Sequence, residues 1–234
     1  MSGRKRLYPF TIALALLASA PQTPAFAGSW FRLGAGVADM AMGDINDADL
    51  RFYEDTINGY NFPDVGTGLL MDLALGYDVG PHLGIGVHWD RQWAKVKGTD
   101  VDVEGTLGLH AHAFVGRVHW RPLRGERWRL GLVAGTGPLF TDGYAKISRG
   151  TANYGEYKLG GSTWSADAAL AVDRSLGERT ILQVWAGWRW AKISDFTYEE
   201  RPSGLSLDYT GWTLRAGLVY GFGDEGLAPA GDMR

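Results

Sequence analysis

Most of the chain beyond Gly28 alternates apolar with small or polar residues, in segments of about ten residues. Period-two alternation predicts β-strands whose two faces meet different surroundings. Eight segments show it, at 29–40, 69–79, 83–93, 107–115, 128–137, 162–173, 180–192 and 211–222. In the fourth segment we expect a β-bulge near Gly116, which returns Val118 and Trp120 to the apolar face.

The amino-acid composition excludes several classes of fold and of functional site. The 234 residues include no cysteine, which excludes disulfide frameworks, thiolate metal sites and cysteine nucleophiles. Beyond the N-terminus, no apolar run approaches the ~18 residues that a transmembrane helix needs. Aromatic residues make up 12% of the chain and 34 residues are glycine, without the repeat of collagen, so an ordered β protein is favoured.

The N-terminus has the pattern of a cleaved signal peptide. Arg4, Lys5 and Arg6 precede a short apolar stretch, and Ala25-Phe26-Ala27 fits the small-x-small cleavage pattern. We therefore expect residues 1–27 to be removed on export and the mature chain to begin at Gly28. Loss of three basic residues lowers the formal charge from −3 to −6.

The connections alternate in length. Short turns follow the second, fourth and sixth segments, whereas long polar links follow the others, at roughly 41–67, 94–106, 139–161 and 193–209. An outer-membrane barrel has short periplasmic turns and long extracellular loops. The sequence therefore predicts an all-β fold: an eight-stranded antiparallel up-and-down transmembrane β-barrel with both termini in the periplasm.

A soluble calyx with apolar residues inside is the alternative barrel. Its outer face would carry Lys, Glu and Thr, but here the second face holds Gly and Ala with single charges, which suits a narrow interior. Two sets of aromatic residues favour lipid, because they fall near opposite strand ends, as interfacial girdles do. One set comprises Trp89, Trp93, Trp164, Trp188, Trp190 and Trp212, and the other Tyr77, Trp120, Trp128, Tyr220 and Phe222.

The last segment carries a family resemblance. Arg215-x-Gly217-x-x-Tyr220-x-Phe222 resembles the C-terminal insertion signal of bacterial outer-membrane barrels. With the signal peptide and eight strands, residues 28–223 resemble the small outer-membrane β-barrel family, which includes the OmpA membrane domain and OmpX. The resemblance implies an outer-membrane location and recognition by the barrel-assembly machinery. Family members usually end at the final Phe, so we interpret 224–234 as a short periplasmic tail.

Charged residues on the small-residue face are expected to form a polar network in the lumen. Placing Asp72 opposite His88, and His88 opposite His110, would gather acids and imidazoles into one cluster. Such a cluster could be a network of satisfied ion pairs, a metal site or a pH-sensitive plug. We favour the first of these, without a metal or cofactor. The predicted network comprises Arg32, Asp72, His88, Asp90, His110, His112, Asp167, Arg189 and Arg215.

The sequence shows no enzymatic motif. Barrel-embedded lipid-modifying enzymes carry His-x-Ser on a strand, and here no strand places Ser two residues after His. The acidic link around Asp44 departs from the calcium-loop pattern and is expected to be solvated. Arg91, Lys95 and Lys97 share an outward face above Trp89, where they would meet lipopolysaccharide phosphates. The stretch 96–104 predicts a projecting hairpin.

We therefore expect a monomeric, non-enzymatic outer-membrane protein with an envelope-structural or surface-interaction role. The links at 41–67 and 139–161 would contact an unidentified extracellular partner, and lipid and lipopolysaccharide would surround the barrel. No feature indicates nucleic-acid binding. A narrow conduit for a small or hydrophobic ligand is the alternative, and a lipid-modifying barrel enzyme is a third class.

Overall fold

A computed structural model describes residues 28–50, 63–99, 103–125, 127–149, 152–194 and 196–222. The predicted signal peptide (1–27), the predicted tail (224–234) and much of the first long link (51–62) lie outside these residues. None of the helices in the described ranges is long and apolar enough to cross a membrane.

Eight long strands form a closed antiparallel barrel in which each strand pairs with its sequence neighbours and the last pairs with the first. The predicted fold class is confirmed. The strands are β1 (Gly28–Asp39), β2 (Thr67–Asp78), β3 (Leu83–Thr99), β4 (Val103–Arg124), β5 (Trp128–Arg149), β6 (Ala152–Ser175), β7 (Thr180–Trp190) and β12 (Gly211–Gly221).

The long link between β7 and β12 contains four two-residue strands: β8 (Lys192–Ile193), β9 (Thr197–Tyr198), β10 (Arg201–Pro202) and β11 (Leu207–Asp208). The first long link contains a one-turn π-helix, Ile45–Leu50. We call the end of the barrel with these links the loop end. The turn end is the opposite one, where short turns follow β2, β4 and β6.

Two of the four predicted long links are largely strand, which confirms the hairpin predicted at 96–104 and corrects the loop predicted at 139–161. β3 and β4 extend through most of 94–106, and β5 and β6 through most of 139–161. β3–β6 are 17, 22, 22 and 24 residues long, whereas β1, β2, β7 and β12 have 11 or 12. We call the part of β3–β6 that rises past the short strands at the loop end the projecting wall.

The outer surface of the barrel is apolar between two aromatic girdles, as predicted. Leu75, Val87 and Leu170 are each about two-thirds exposed in mid-barrel, at 65%, 64% and 65%. Trp120, Trp128, Tyr220 and Phe222 are exposed near the turn end. Trp164, Trp188, Trp190 and Trp212 are exposed near the loop end. An apolar band between aromatic girdles is the outer surface of an outer-membrane β-barrel.

In β4 the predicted β-bulge near Gly116 is wrong. Burial alternates without a slip from Leu109 to Arg121, and the register with β5 shifts only between Trp120 and Leu123. Residues 107, 109, 111, 113 and 115 therefore face the interior, not lipid. The alternation predicts the wrong inner face for this half of β4 because the upper interior is itself apolar. Both faces of the half-strand therefore contain hydrophobic residues.

Glycines on the inner face make room for large interior side chains. The Trp30 indole lies against Gly76 and Gly86, where any added Cβ would overlap its ring. Trp30 is itself buried at 2% exposure, so it cannot move into solvent. These two glycines thus set the packing of the lower interior.

We expect Gly76→Val to lower the free energy of unfolding by about 3 kcal/mol, because overpacking forces Trp30 out of its site. Urea titration of the refolded protein in lipid vesicles, followed by tryptophan fluorescence, measures the effect. Gly80→Ala in the β2–β3 turn is the matched control, since an added Cβ there meets nothing within 4 Å. Equal stability of the two variants would contradict the packing argument.

Candidate functional site

Asp90 on β3 lies at the centre of a polar layer inside the barrel. The Arg117 guanidinium donates to both of its carboxylate oxygens, over 3.1 and 2.7 Å. Arg215 Nη1 lies 2.9 Å from Asp90 Oδ2, and Arg189 pairs with the same oxygen. One buried carboxylate is therefore held by guanidinium groups from β4, β7 and β12.

Arg117 extends this layer across the barrel. Its Nε donates to Asp167 Oδ1 on β6 over 3.1 Å, and its Nη2 pairs with Asp167 Oδ2. Arg215 Nη2 approaches the same carboxylate oxygen at 3.8 Å. Arg189 also donates to Gln92 Oε1, over 3.2 Å. Because bidentate guanidinium–carboxylate bonds are strong and directional, the layer joins β3, β4, β6, β7 and β12.

Below this layer lies an aromatic one. His88 and His119 stack with ring centroids 5.4 Å apart and their Nε2 atoms at 3.3 Å. The rings of Trp30 and Trp185 flank them, and the Arg32 guanidinium lies 4.2 Å from the Trp185 ring centroid. A cation held over an indole face is stabilised by the ring quadrupole.

Near the turn end, Arg121 on β4 links two further acids. It donates to Asp78 on β2 over 2.9 Å and to Asp173 on β6 over 3.0 Å. Trp30 Nε1 donates to Asp78, and Gln183 Nε2 donates to Asp173 over 2.7 Å. On β1 and β2, Arg32 pairs with Asp72. The lower interior thus consists of ion pairs that cross between strands.

The loop end is filled differently, by apolar side chains that the two long links insert into the barrel mouth. The links contribute Met40, Met42, Ile45, Val65, Ile193, Phe196, Leu207 and Tyr209, and they pack against inward residues of β3–β6 such as Leu109, Ala111, Leu139 and Leu159. We call this cluster the apolar plug. It closes the mouth above the polar layers.

Two polar contacts hold the plug. Ser206 donates its hydroxyl and its backbone N–H to Asp44 Oδ2, over 2.6 and 3.1 Å, which joins the two links. These hydrogen bonds lower the pKa of Asp44. The Tyr209 hydroxyl lies 2.5 Å from Thr141 Oγ1, and burial raises the pKa of Tyr209 to about 12. The tyrosine therefore stays a neutral hydrogen-bonding anchor at physiological pH.

The structure brings most of the predicted lumen residues into the interior and places two of them elsewhere. The interior residues are Arg32, Asp72, His88, Asp90, Asp167, Arg189 and Arg215. His110 and His112 lie on the outer face of β4, so their predicted lumen position is wrong. The predicted pairs are also wrong, because Asp72 lies opposite Asp90, and His88 opposite Val115.

His110 and His112 form an exposed group near the loop-end girdle. His110 Nδ1 lies 3.3 Å from Asp142 Oδ2, and His112 Nε2 lies 3.6 Å from Asp142 Oδ1. His112 also stacks on Trp89. Within the described ranges, no group of three or more His, Cys, Asp or Glu side chains has an arrangement that could hold a metal ion.

The sequence analysis missed several interior residues, chiefly on β4. Arg117, His119 and Arg121 alternate with the outward Val118 and Trp120, and this spacing was visible in the sequence. The predicted outward position of Val118 and Trp120 already implies that these three residues face inward. Asp78 and Asp173 lie at or near the turn ends of their strands, where the sequence alone predicts that an acidic residue is exposed to solvent.

The remaining predicted residues lie on outer surfaces or at the strand end. Arg91, Lys95 and Lys97 face outward on β3, and Lys97 Nζ lies 3.1 Å from Glu104 Oε1. In the predicted insertion signal, Arg215 and Gly217 face inward, while the Tyr220 and Phe222 rings meet edge to face on the outside. This geometry is consistent with a β-strand but reports nothing on recognition by assembly factors.

Comparison with known proteins finds no family model and no curated protein that matches the chain. Similar solved structures include the outer membrane protein OprG from Pseudomonas aeruginosa, at 13% identity and a TM-score of 0.46, covering 83% of this chain and 95% of that one. The attachment invasion locus protein Ail of Yersinia pestis, in complex with the heparin analogue sucrose octasulfate, has 13% identity and a TM-score of 0.43, with 83% and 100% covered. The outer membrane protease OmpT from Escherichia coli has 12% identity and a TM-score of 0.39, with 88% and 100% covered. Values this low support no statement about ligands or activity.

Asp90→Asn should lower the free energy of unfolding by about 3–5 kcal/mol, because it leaves buried guanidinium charges without their carboxylate. Urea unfolding in vesicles measures the loss. Asp142→Asn, on the exposed face of β5, is the control and should change stability little. Adding Arg189→Gln to Asp90→Asn should recover part of the loss, and a simple sum of the two single effects would contradict the network.

The contact between Asp44 and Ser206 should depend on pH. Because the pKa of Asp44 is lowered in the folded protein, the contact contributes fully above the ordinary carboxyl value of 3.8 and is lost as the pH falls through the lowered value. Hydrogen exchange at the Ser206 amide, compared between the wild type and Asp44→Asn, should differ several-fold at pH 6 and converge below the folded pKa. A difference that persists in acid would rule out the carboxylate as the cause.

Proposed function

We propose that this protein is a non-enzymatic barrel of the bacterial outer membrane, of the small kind that includes the OmpA membrane domain and OmpX. It has an envelope-structural or surface-interaction role. The observation that carries the proposal is the projecting wall, which extends the outward faces of β3–β6 past the apolar band. β4–β6 are ten or more residues longer than the four short strands and β3 is about five longer, so the wall adds a path of up to about 30 Å that spanning the bilayer does not require.

The interior supports a structural rather than a transport role. Arg117, Arg189 and Arg215 converge on Asp90 across the narrow lumen of an eight-stranded barrel, and the apolar plug fills the mouth above them. A general porin needs an open aqueous path through this region. The wall, together with the first and last links, is the part of the molecule that faces partners.

The wall replaces the predicted loop at 139–161 as the proposed interaction surface, because that stretch is mostly strand. The outward face of β3 carries Arg91 opposite Met71 of β2, below the wall, and Lys95 and Lys97 further up, and we propose that the three contact lipopolysaccharide phosphates. The surrounding partners are then outer-membrane lipid, the barrel-assembly machinery during insertion and an extracellular partner that the wall contacts. We propose a monomer.

A conduit for a small or hydrophobic ligand is the second candidate, favoured by the apolar lining of the upper interior. Leu109, Leu139 and Leu159 would contact such a ligand if the plug left the mouth. The polar layer at Asp90 would still have to open. For a lipid-modifying enzyme the support is weaker, because among the described residues no serine hydroxyl is hydrogen-bonded to a histidine: His88 contacts His119, His110 contacts Asp142, and His82 contacts a backbone carbonyl oxygen.

Two measurements test the proposal. Cell fractionation should place the protein in the outer membrane, in a band whose gel mobility shifts on boiling, as expected for a closed barrel. In planar bilayers the wild type should conduct no stable current, because the polar layer and plug are closed. A periplasmic band without a shift would overturn the location, and steady single-channel currents from the wild type that increase on deletion of the plug residues would favour the conduit.

A further inference from the structure

The projecting wall carries a polar cleft on its outward face. Neighbouring strands place Lys95, Gly108, Tyr144 and Lys158 in one cross-strand row, and Lys97, Thr106, Lys146 and Glu156 in the next. The rows enclose a cleft of about 390 Å³. A volume of this order is at the lower end of the range for small-molecule sites in proteins.

The floor of the cleft is aromatic. Tyr144 lies across the neighbouring strand over Gly108, where an added Cβ would come within 2.5 Å of Tyr144 Cε1 and 2.8 Å of Cζ. Gly108 therefore provides the space in which the phenol ring lies against the sheet. A ring laid flat on a strand offers one face to a ligand, and the apolar face of a sugar ring packs well against an aromatic side chain.

The rim of the cleft is cationic and hydroxylated. Lys95, Lys97 and Lys146 line it together with Glu104 and Glu156, and the hydroxyls of Thr106 and Ser148 lie among them. Lys97 is paired with Glu104. Among the described residues, neither Lys95 nor Lys146 has a carboxylate within ion-pair distance. Two ammonium groups are thus available to an anionic ligand beside the aromatic floor.

The height of the cleft above the loop-end girdle indicates which anionic ligand it contacts. Phe140, which is exposed in the loop-end girdle, precedes Tyr144 by four residues on β5, so the cleft begins about 10 Å above the girdle for a strand tilted by about 40°. Because its face continues the lipid-facing surface, it opens sideways into the headgroup layer of the surrounding lipid. Protein interfaces are depleted in Lys and Glu, which argues against a protein occupant.

We infer that this cleft binds a phosphorylated sugar of the outer-leaflet glycolipid, with Lys95 and Lys146 on the phosphate and Tyr144 under the sugar ring. The inference rests on the proposed outer-membrane location and adds a defined site to the general contact proposed for Arg91, Lys95 and Lys97. It assigns the projecting wall a ligand that is held beside the barrel.

Binding to purified barrels in phosphatidylcholine nanodiscs tests the inference, with lipopolysaccharide as the titrant. We expect the double variant Lys95→Gln/Lys146→Gln to weaken binding about tenfold, the effect of losing two exposed charge contacts. The matched control, Arg127→Gln/Arg179→Gln, removes two exposed cations at the turn end, on the opposite end of the barrel from the wall, and should bind within twofold of the wild type. Equal weakening by both double variants would mean non-specific charge attraction and would overturn the site.

Separate experiments test the role of the Tyr144 ring and the class of anionic ligand that the cleft binds. Tyr144→Ala should weaken binding several-fold, whereas Tyr144→Phe should retain it, because the ring and not the hydroxyl carries the contact. Phosphatidylglycerol should bind at least tenfold more weakly than lipopolysaccharide, and equal binding would reduce the site to a general anion surface. Glucose 1-phosphate is then added as a competitor of bound lipopolysaccharide. If millimolar glucose 1-phosphate displaces lipopolysaccharide as effectively as an excess of lipopolysaccharide itself, the ligand is a soluble sugar phosphate instead of the glycolipid.

Boiling-dependent gel mobility of each variant keeps the two proposals separate. If the wild type is absent from the outer membrane, the proposed function fails. If all variants fold and reach the outer membrane but bind lipopolysaccharide equally, only the cleft assignment fails.

Discussion

The width of the barrel governs what its interior can contain. Eight strands enclose a space that side chains fill, so a charge that points inward loses its water and must find a partner on another strand. Asp90 meets this requirement with three guanidinium groups, and Arg121 meets it with two carboxylates. The glycines at 76 and 86 follow from the same limit, because the Trp30 ring needs their missing side chains.

Strand length divides the molecule into two sides. On the short side, β7, β12, β1 and β2 end near the girdle, and the two long links fold inward over them as the apolar plug. On the long side, β3–β6 continue upward and keep the same inside and outside faces. The plug therefore covers the inner face of the wall, and the outer face stays open to its surroundings. One sheet thus supports the plug on its inner face and carries the proposed binding surface on its outer face.

Much of the fold follows from the sequence, because alternation, link lengths and aromatic positions each report a local property of one strand. The register of strand pairing does not follow from the sequence, because it depends on turn geometry. The observed register differs from the predicted one by two residues, so Asp72 lies opposite Asp90 instead of His88. The prediction of which face of β4 points inward was wrong for a different reason. The alternation predicts a lipid-facing position for Leu107, Leu109, Ala111, Ala113 and Val115, but these residues contact the plug, whose residues come from links far away in sequence.

The same non-local character explains why the centre of the candidate site was only partly predicted. Arg32, Asp90, Arg189 and Arg215 stand out as charges on otherwise apolar segments, so their inward position could be expected from the sequence. The convergence of Arg189 and Arg215 on the Asp90 carboxylate could not, since it depends on the barrel shear. The cleft on the wall was also invisible, because its cross-strand rows join residues from four strands, and 139–161 was expected to be a loop.

The partners of Asp90 have a consequence for how the barrel is assembled. Its carboxylate is on the third strand to be synthesised, whereas Arg189 and Arg215 arrive on the last two barrel strands. A sheet without those strands would leave the acid with only its two bonds from Arg117, half of the four that it accepts in the closed barrel. Partial barrels therefore lack two of the ion pairs that stabilise Asp90, and these pairs favour closure of the last strand against the first.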